Sequence, residues 1–181
     1  MSRLAIPALD STPEASKATL NAIHQQLGTV PNLYLLLGSS PIALNGFGAF
    51  QGALSKSLDA KTRERIALTV AQINGCDYCL SAHSYLGLNL VKISAEEITL
   101  NRKGTSSDAK AHAAVSFAAK VTRERGHVND ADIEAVRAAG FSDAQIVEIV
   151  GLVIENCFTN FLNSVAKTEI DFPVVSATDL I

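Results

Sequence analysis

No proline falls between Pro41 and Pro173; all five lie toward the ends, at Pro7, Pro13, Pro31, Pro41 and Pro173. Proline breaks helix interiors, so this absence permits a long series of helices. An excess of positive charge is also lacking. Lys and Arg number 15 against 18 Asp and Glu, a net charge of −3. That excludes the basic footprint of a nucleic-acid binder and offers no polybasic patch to a membrane surface. No uninterrupted apolar run reaches the ~18 residues of a membrane-spanning helix, and Pro7 and Asp10 arrive too early for a signal-peptide core. Cysteines number only three. Without an export signal they read as reduced thiols of a cytoplasmic chain, where close cysteines mean metal or redox chemistry. Disorder is excluded too: 48% of the 181 residues are apolar and 18% charged, enough to bury a core. Residues 1–181 read as one domain.

The proline-free stretch is rich in Ala, Leu, Glu, Lys and Arg, which favour helix, and alternating β-branched runs are scarce. The expected fold class is all-α. Pro13 starts a first helix and Gly28 ends it. A short apolar helix covers 33–37, and Ser40-Pro41 opens a third, to about residue 57. Asp59 caps a fourth that ends near Gly75; a fifth runs from there to about Gly87. Ser94 with Glu97 is a capping-box pattern for a short sixth. Ser107 or Asp108 starts the next, Asn129 or Asp130 another, and Ser142 caps the last, which reaches about Lys167. That last helix is apolar in most directions, from Ile146 to Val165, so it is expected to be buried on nearly all sides, including against a second subunit. A weak echo at a shift of 84 pairs Glu64 with Glu148 and sets Asn160, Asn163 and Lys167 against Cys76, Cys79 and His83. It reads as chance similarity between two capped apolar helices or as a duplicated helical hairpin.

The chemistry concentrates in one stretch. Cys76, Cys79 and His83 are spaced by three and four residues, which puts them on one helix face. Thiols one turn apart can form a disulfide with little chain movement, and an imidazole one turn on can exchange a proton with Cys79. The thiolate is the nucleophile, favoured by a nearby base or a helix N-terminus. The helix start favours Cys76 and His83 favours Cys79, so spacing alone does not rank them. Glu64 shares a face with Ala67, Leu68 and Ala71, a lone carboxylate in an apolar stripe. A buried charge needs a partner; in an antiparallel hairpin His83 is in reach, and the pair could relay protons. Cys76, Cys79 and His83 with Glu64 or Cys157 would also make a zinc ligand set, less expected with three candidates on one helix. Cys157 itself reads as a buried core thiol. His24, His112 and His127 read as structural, and Lys110, Lys120, Arg123 and Arg125 as solvated charges without an aromatic face.

Glu64, eleven residues, Cys76-x-x-Cys79, three residues, His83 resembles the signature of the alkylhydroperoxidase D-like and carboxymuconolactone decarboxylase family. Val30-Pro31-Asn32-Leu33 before Ser40-Pro41, and Glu169-Ile170-Asp171-Phe172-Pro173 near the end, are similar to its peroxidase-related branch. The resemblance covers roughly residues 29–173. It implies an all-α helical bundle built around an antiparallel helical hairpin, a homo-oligomer, and reduction of hydrogen peroxide or organic hydroperoxides without cofactor or metal. By the same resemblance Cys79 attacks the peroxide, Cys76 resolves the sulfenic acid, and Glu64 and His83 relay protons through water. A dithiol protein, thioredoxin-like or lipoyl-bearing, would supply electrons. Tyr78 stands where some members carry a second histidine. Two other readings remain: decarboxylation of a muconolactone-type acid, against which the thiol pair argues, and a redox-sensing oligomer without turnover.

Overall fold

A computed structural model describes residues 2–180. Nine α-helices follow one another among the described residues: α1 (Glu14–Leu27), α2 (Asn32–Gly38), α3 (Pro41–Leu54), α4 (Ala60–Ile73), α5 (Asp77–Asn89), α6 (Ala95–Arg102), α7 (Ala109–Glu124), α8 (Asp130–Ala138) and α9 (Asp143–Ala166), with single 3₁₀ turns at Leu9–Ser11 and Ala177–Leu180. No strand occurs among these residues, so the fold is all-α.

The helix starts follow from local chemistry. Side chains of Ser40, Asp59, Ser94, Asp108, Asn129 and Ser142 each accept a backbone N–H of the first turn, satisfying donors that have no partner inside the helix. Asn129 with Asp132, and Ser142 with Gln145, close full capping boxes. The pattern at Ser94 is only half formed. Ser94 Oγ accepts from Glu97 N, but the Glu97 carboxylate turns inward instead. It accepts from Asn101, Ser106 and Ser107 and lies 3.2 Å from Arg65 Nε. An ion pair with a basic residue thirty-two positions upstream outcompetes the local return bond.

α4 is the hub, packing against α5, α6, α7 and α9. Ile66, Leu68, Val70 and Ala71 are all fully buried along it. One core joins α4 and α7 to α9 through Ile66, Val70, Ala114, Phe117, Ile149 and Leu152. A second gathers Leu20, Leu37, Leu44 and Phe47 from α1–α3. Gly151 lets α3 approach α9, since a Cβ there would stand 3.0 Å from Leu54.

α4 and α5 form the antiparallel hairpin, turned at Gly75, whose φ of +64° suits glycine. α9, by contrast, runs unbroken through the positions that would match this turn. The shift of 84 therefore marks no second hairpin. α9 is also two-faced rather than buried all round. Ile146, Ile149, Leu152 and Val153 face the core, while Val147, Ile154, Phe158, Phe161 and Val165 are exposed on the other side. By length and composition α9 is apolar enough to cross a membrane, although no uninterrupted run in it is; here its inner face is the wall of a helical core.

Candidate functional site

Cys76 is not on the helix face. It is the N-cap of α5, with extended backbone, and its Sγ accepts the N–H of Cys79 at 3.2 Å. Helix proper begins one residue later than the spacing predicts, because the Gly75 turn needs Cys76 to leave it. The two sulfurs are joined in a disulfide across a Cα separation of 5.3 Å, an ordinary span for such a bond. Each cysteine is only 3% exposed.

His83 lies one turn beyond Cys79. Its Nδ1 is 2.7 Å from Oε1 of Glu64 on the facing arm of the hairpin. The contact is direct, so the water expected between the two groups has no place there. Burial pulls the imidazole toward its neutral form. The charge and hydrogen bond of Glu64, with Glu155 adding at longer range, outweigh it and raise the ring above its usual value. With Nδ1–H held by the carboxylate, Nε2 is the nitrogen that takes up or gives the next proton. Glu64 rises from the buried stripe of Ala67, Leu68 and Ala71, with Gly87 of α5 facing its stem across the hairpin.

Two residues near the site escaped sequence reasoning. Asn163 of α9 donates from Nδ2 to Cys79 Sγ at 3.4 Å. Its only sequence signal was the echo at 84, which set Asn163 against Cys79 without implying contact. Asn160 on the same face accepts from Asn74 at 2.9 Å and ties α9 to the turn before Cys76. Glu155, the other, accepts from Gln51 at 3.2 Å, and Gln51 in turn accepts from Tyr34 at 2.9 Å. Burial pushes the Glu155 carboxyl above the usual range, the hydrogen bond from Gln51 and the field of His83 opposing it. Glu155 also lines a 340 Å³ groove with Ile42, Phe47, Phe50, Ile154 and Phe158.

Tyr78 packs rather than carrying protons. Its ring meets Phe172 edge-on at 5.9 Å and its hydroxyl accepts from Leu33 N at 3.1 Å. Burial drives the phenol far above its usual range. Phe172 belongs to a C-terminal segment, residues 168–180, that packs against the start of α5. Ile170, Phe172, Val175 and Ala177 pack against the cluster of Cys76, Tyr78, Cys79 and Leu80. Asp77 Oδ1 accepts from Ala177 N at 2.7 Å, Ser81 Oγ from Val175 N at 2.9 Å, and Gln72 Nε2 donates to Ala177 O at 2.8 Å.

Cys157 is half-buried rather than buried. It takes a hydrogen bond from Asn74 at 3.5 Å, and burial pushes its thiol up. Lys110 does have an aromatic neighbour, its Nζ 4.9 Å from the Phe141 ring centre, and Lys120 pairs with Asp132 at 2.7 Å. His24, His112 and His127 are exposed, away from the hairpin.

Residues 41–124 match the model of the carboxymuconolactone decarboxylase family. No curated protein matches the chain significantly. Among solved structures, an uncharacterized peroxidase-related protein from Silicibacter sp. TM1040 is 29% identical, over 93% of this chain and 91% of that one, at a TM-score of 0.81. The alkylhydroperoxidase AhpD core of Ralstonia eutropha JMP134, also described as an uncharacterized peroxidase-related protein, is 24% identical over 94% and 92%, at 0.77. The debrominase Bmp8 shares the fold at 20% identity over 94% and 91%, with a TM-score of 0.76. The helical hairpin with its Cys-x-x-Cys pair, the matched segment and these neighbours agree: residues 41–124 resemble the carboxymuconolactone decarboxylase family, within an alkylhydroperoxidase D-like fold.

Proposed function

We propose that this protein is a thiol peroxidase that reduces hydrogen peroxide or small organic hydroperoxides. The observation that carries the reading is the Cys76–Cys79 pair at the start of α5 with the Glu64–His83 pair one turn away. In this scheme the Cys79 thiolate attacks the terminal peroxide oxygen. An S–O bond forms, the O–O bond breaks, and the alkoxide or hydroxide leaves with the electron pair and takes a proton from His83. The proton on the attacked oxygen stays with the sulfenic acid. Cys76, as thiolate, then attacks the Cys79 sulfur; an S–S bond forms and hydroxide leaves, to be protonated to water. A dithiol protein, thioredoxin-like or lipoyl-bearing, reduces the disulfide and is itself oxidised. Glu64 holds the ring through Nδ1 and favours the imidazolium that donates the proton.

The outer face of α9, apolar from Val147 to Val165, supports a homo-oligomer. The whole chain acts as one domain, and its reduced working state suits the cytoplasm. Decarboxylation would leave the thiol pair without a task.

A second reading has one observation in its favour. Both cysteines are only 3% exposed, so a protein-sized reductant reaches the sulfurs only after a local opening. Oxidation without turnover would make the pair a redox sensor. Peroxide consumption with several dithiol donors, beside Cys79→Ser, separates the two. Catalytic turnover lost in the variant supports the peroxidase; one equivalent consumed with every donor supports the sensor.

A further inference from the structure

α9 carries Asn156, Thr159, Asn160 and Asn163 on its inner side, all buried in an otherwise apolar helix. Burying polar groups is unfavourable unless each finds a partner. Asn156 and Thr159 find theirs on their own helix, donating to Leu152 O and Asn156 O. Asn160 braces Asn74 through Oδ1, while its Nδ2 has no hydrogen-bond partner among the described residues. Asn163 is different. It is 3% exposed, its amide donates to Cys79 Sγ at 3.4 Å, and its Oδ1 has no hydrogen-bond partner among the described residues.

A desolvated amide aimed at one sulfur gains little while that sulfur is in a disulfide, which is a weak acceptor. It gains much more when the sulfur is an anion, because hydrogen bonds to charged acceptors are the strong ones. The amide nitrogen must be the atom facing sulfur, since neither a disulfide nor a thiolate has an S–H to offer to Oδ1. Asn163 cannot titrate, so it moves no proton and supplies only a fixed dipole where charge resides. Such groups act by favouring the charged reacting state over the neutral one.

We infer that Asn163 is a catalytic hydrogen-bond donor to Cys79, holding its thiolate before attack. This inference rests on Cys79 being the reacting thiol. It also bears on the choice between the sulfurs: each has one N–H donor, Cys76 from the backbone of its own helix and Cys79 from a side chain of another.

The test uses the full chain with Cys76→Ser, so that Cys79 stays reduced. Alkylation of Cys79 by iodoacetamide is followed against pH by peptide mass spectrometry, which separates it from Cys157. Asn163→Leu and Asn163→Asp, both close in size to Asn, are made in that background. The surrounding charges, Asp77 and His83 on α5, Glu64 on α4, Arg102 on α6, Glu155 on α9 and Asp171, are the same in every protein compared. The Leu variant should raise the alkylation midpoint by about 1–2 pH units, the size of one hydrogen bond to a charged group. The Asp variant should raise it further, by placing an anion at the thiolate. An unmoved midpoint in a folded Leu variant overturns the inference; if only the Asp variant folds, an unmoved midpoint there does so. Failure of both to fold would make Asn163 a structural residue and overturn it as well. No peroxide is used, so the two readings fail separately. A shifted midpoint in a protein without turnover keeps Asn163 as thiolate donor and removes the peroxidase; turnover with an unmoved midpoint does the reverse.

Discussion

Glu64 and His83 meet directly across the α4–α5 hairpin, Oε1 to Nδ1 at 2.7 Å. The carboxylate therefore sets both the tautomer and the charge of the ring. Burial alone would lower the imidazole pKa; Glu64 reverses that sign. The ring thus stays protonated above its ordinary value of 6.5. Its contribution to stability is fully present below the unfolded-state pKa and is lost as pH rises through the folded one.

Replacing Glu64 by Gln keeps the shape and removes the charge. The His83 pKa should fall, moving the alkaline limb of the pH–rate profile, where the donor loses its proton, to lower pH. Loss of the oriented imidazolium should slow Cys79 oxidation at neutral pH at least ~10-fold, a low bound on acid–base contributions. Stopped-flow peroxide consumption measures both effects. A wild-type rate and profile would mean that Glu64 only fills space between the helices.

Glu97 is a stability residue. Burial works against its charge, but bonds from Ser106, Ser107 and Asn101 outweigh it and hold the carboxyl down to about 2. A depressed carboxylate stabilises the fold above its unfolded value and loses that contribution as pH falls through the folded value. Glu97→Gln, which leaves Arg65 unpaired, should cost about 3 kcal/mol at pH 7. The gap from wild type should narrow between pH 4.5 and about 2. Urea melts across that window check it; a gap independent of pH would mean the carboxylate charge contributes nothing.

Phe161 is 57% exposed on the outer face of α9. On a monomer surface Phe161→Glu should change stability by no more than about 0.5 kcal/mol. In an interface it would bury an unpaired charge and dissociate the assembly. We expect wild-type protein to scatter light as an oligomer at micromolar concentration and the variant as a smaller species. Equal masses would remove this face from the assembly.

Sequence and structure agree where the determinants are local. Asp59, Ser94 and Ser142 announce their helices, and the starts at Asp108 and Asn129 are legible to within one residue, because a cap involves only the next three residues. The Glu64–His83 contact was also legible, because a tight turn fixes the register of two successive helices. What escaped depends on distant partners. Glu97 was assigned to Ser94 when Arg65 and Ser107 claim it. Asn163 looked inert because its partner lies 84 residues away. The C-terminal segment was illegible for another reason: residues 168–173 have no helical period, and contacts with Tyr78 and Asn32 hold them, as Asp77 holds Ala177 in the turn that follows.

That segment yields the last prediction. Cys76 and Cys79 are each 3% exposed, and Phe172 and Ala177 pack against the cluster that holds them, so a reductant is expected to gain access by local opening of the C-terminal segment. Weakening what clasps it should raise the population of open molecules and so the reduction rate. Gln72→Ala removes the bond to Ala177 O and, with it, the bond Gln72 accepts from Arg102 Nε, while leaving every charged residue in place. One hydrogen bond of about 1 kcal/mol corresponds to a roughly fivefold faster reduction by dithiothreitol. Phe172→Ala, which also loses apolar contact with Tyr78, should accelerate it more, by about tenfold or above. Val174→Ala, at an exposed side chain of the same segment, is the control and should leave the rate unchanged. If all three variants are reduced at the wild-type rate, the sulfurs are reached from another side, and the C-terminal segment is a fixed wall of the site.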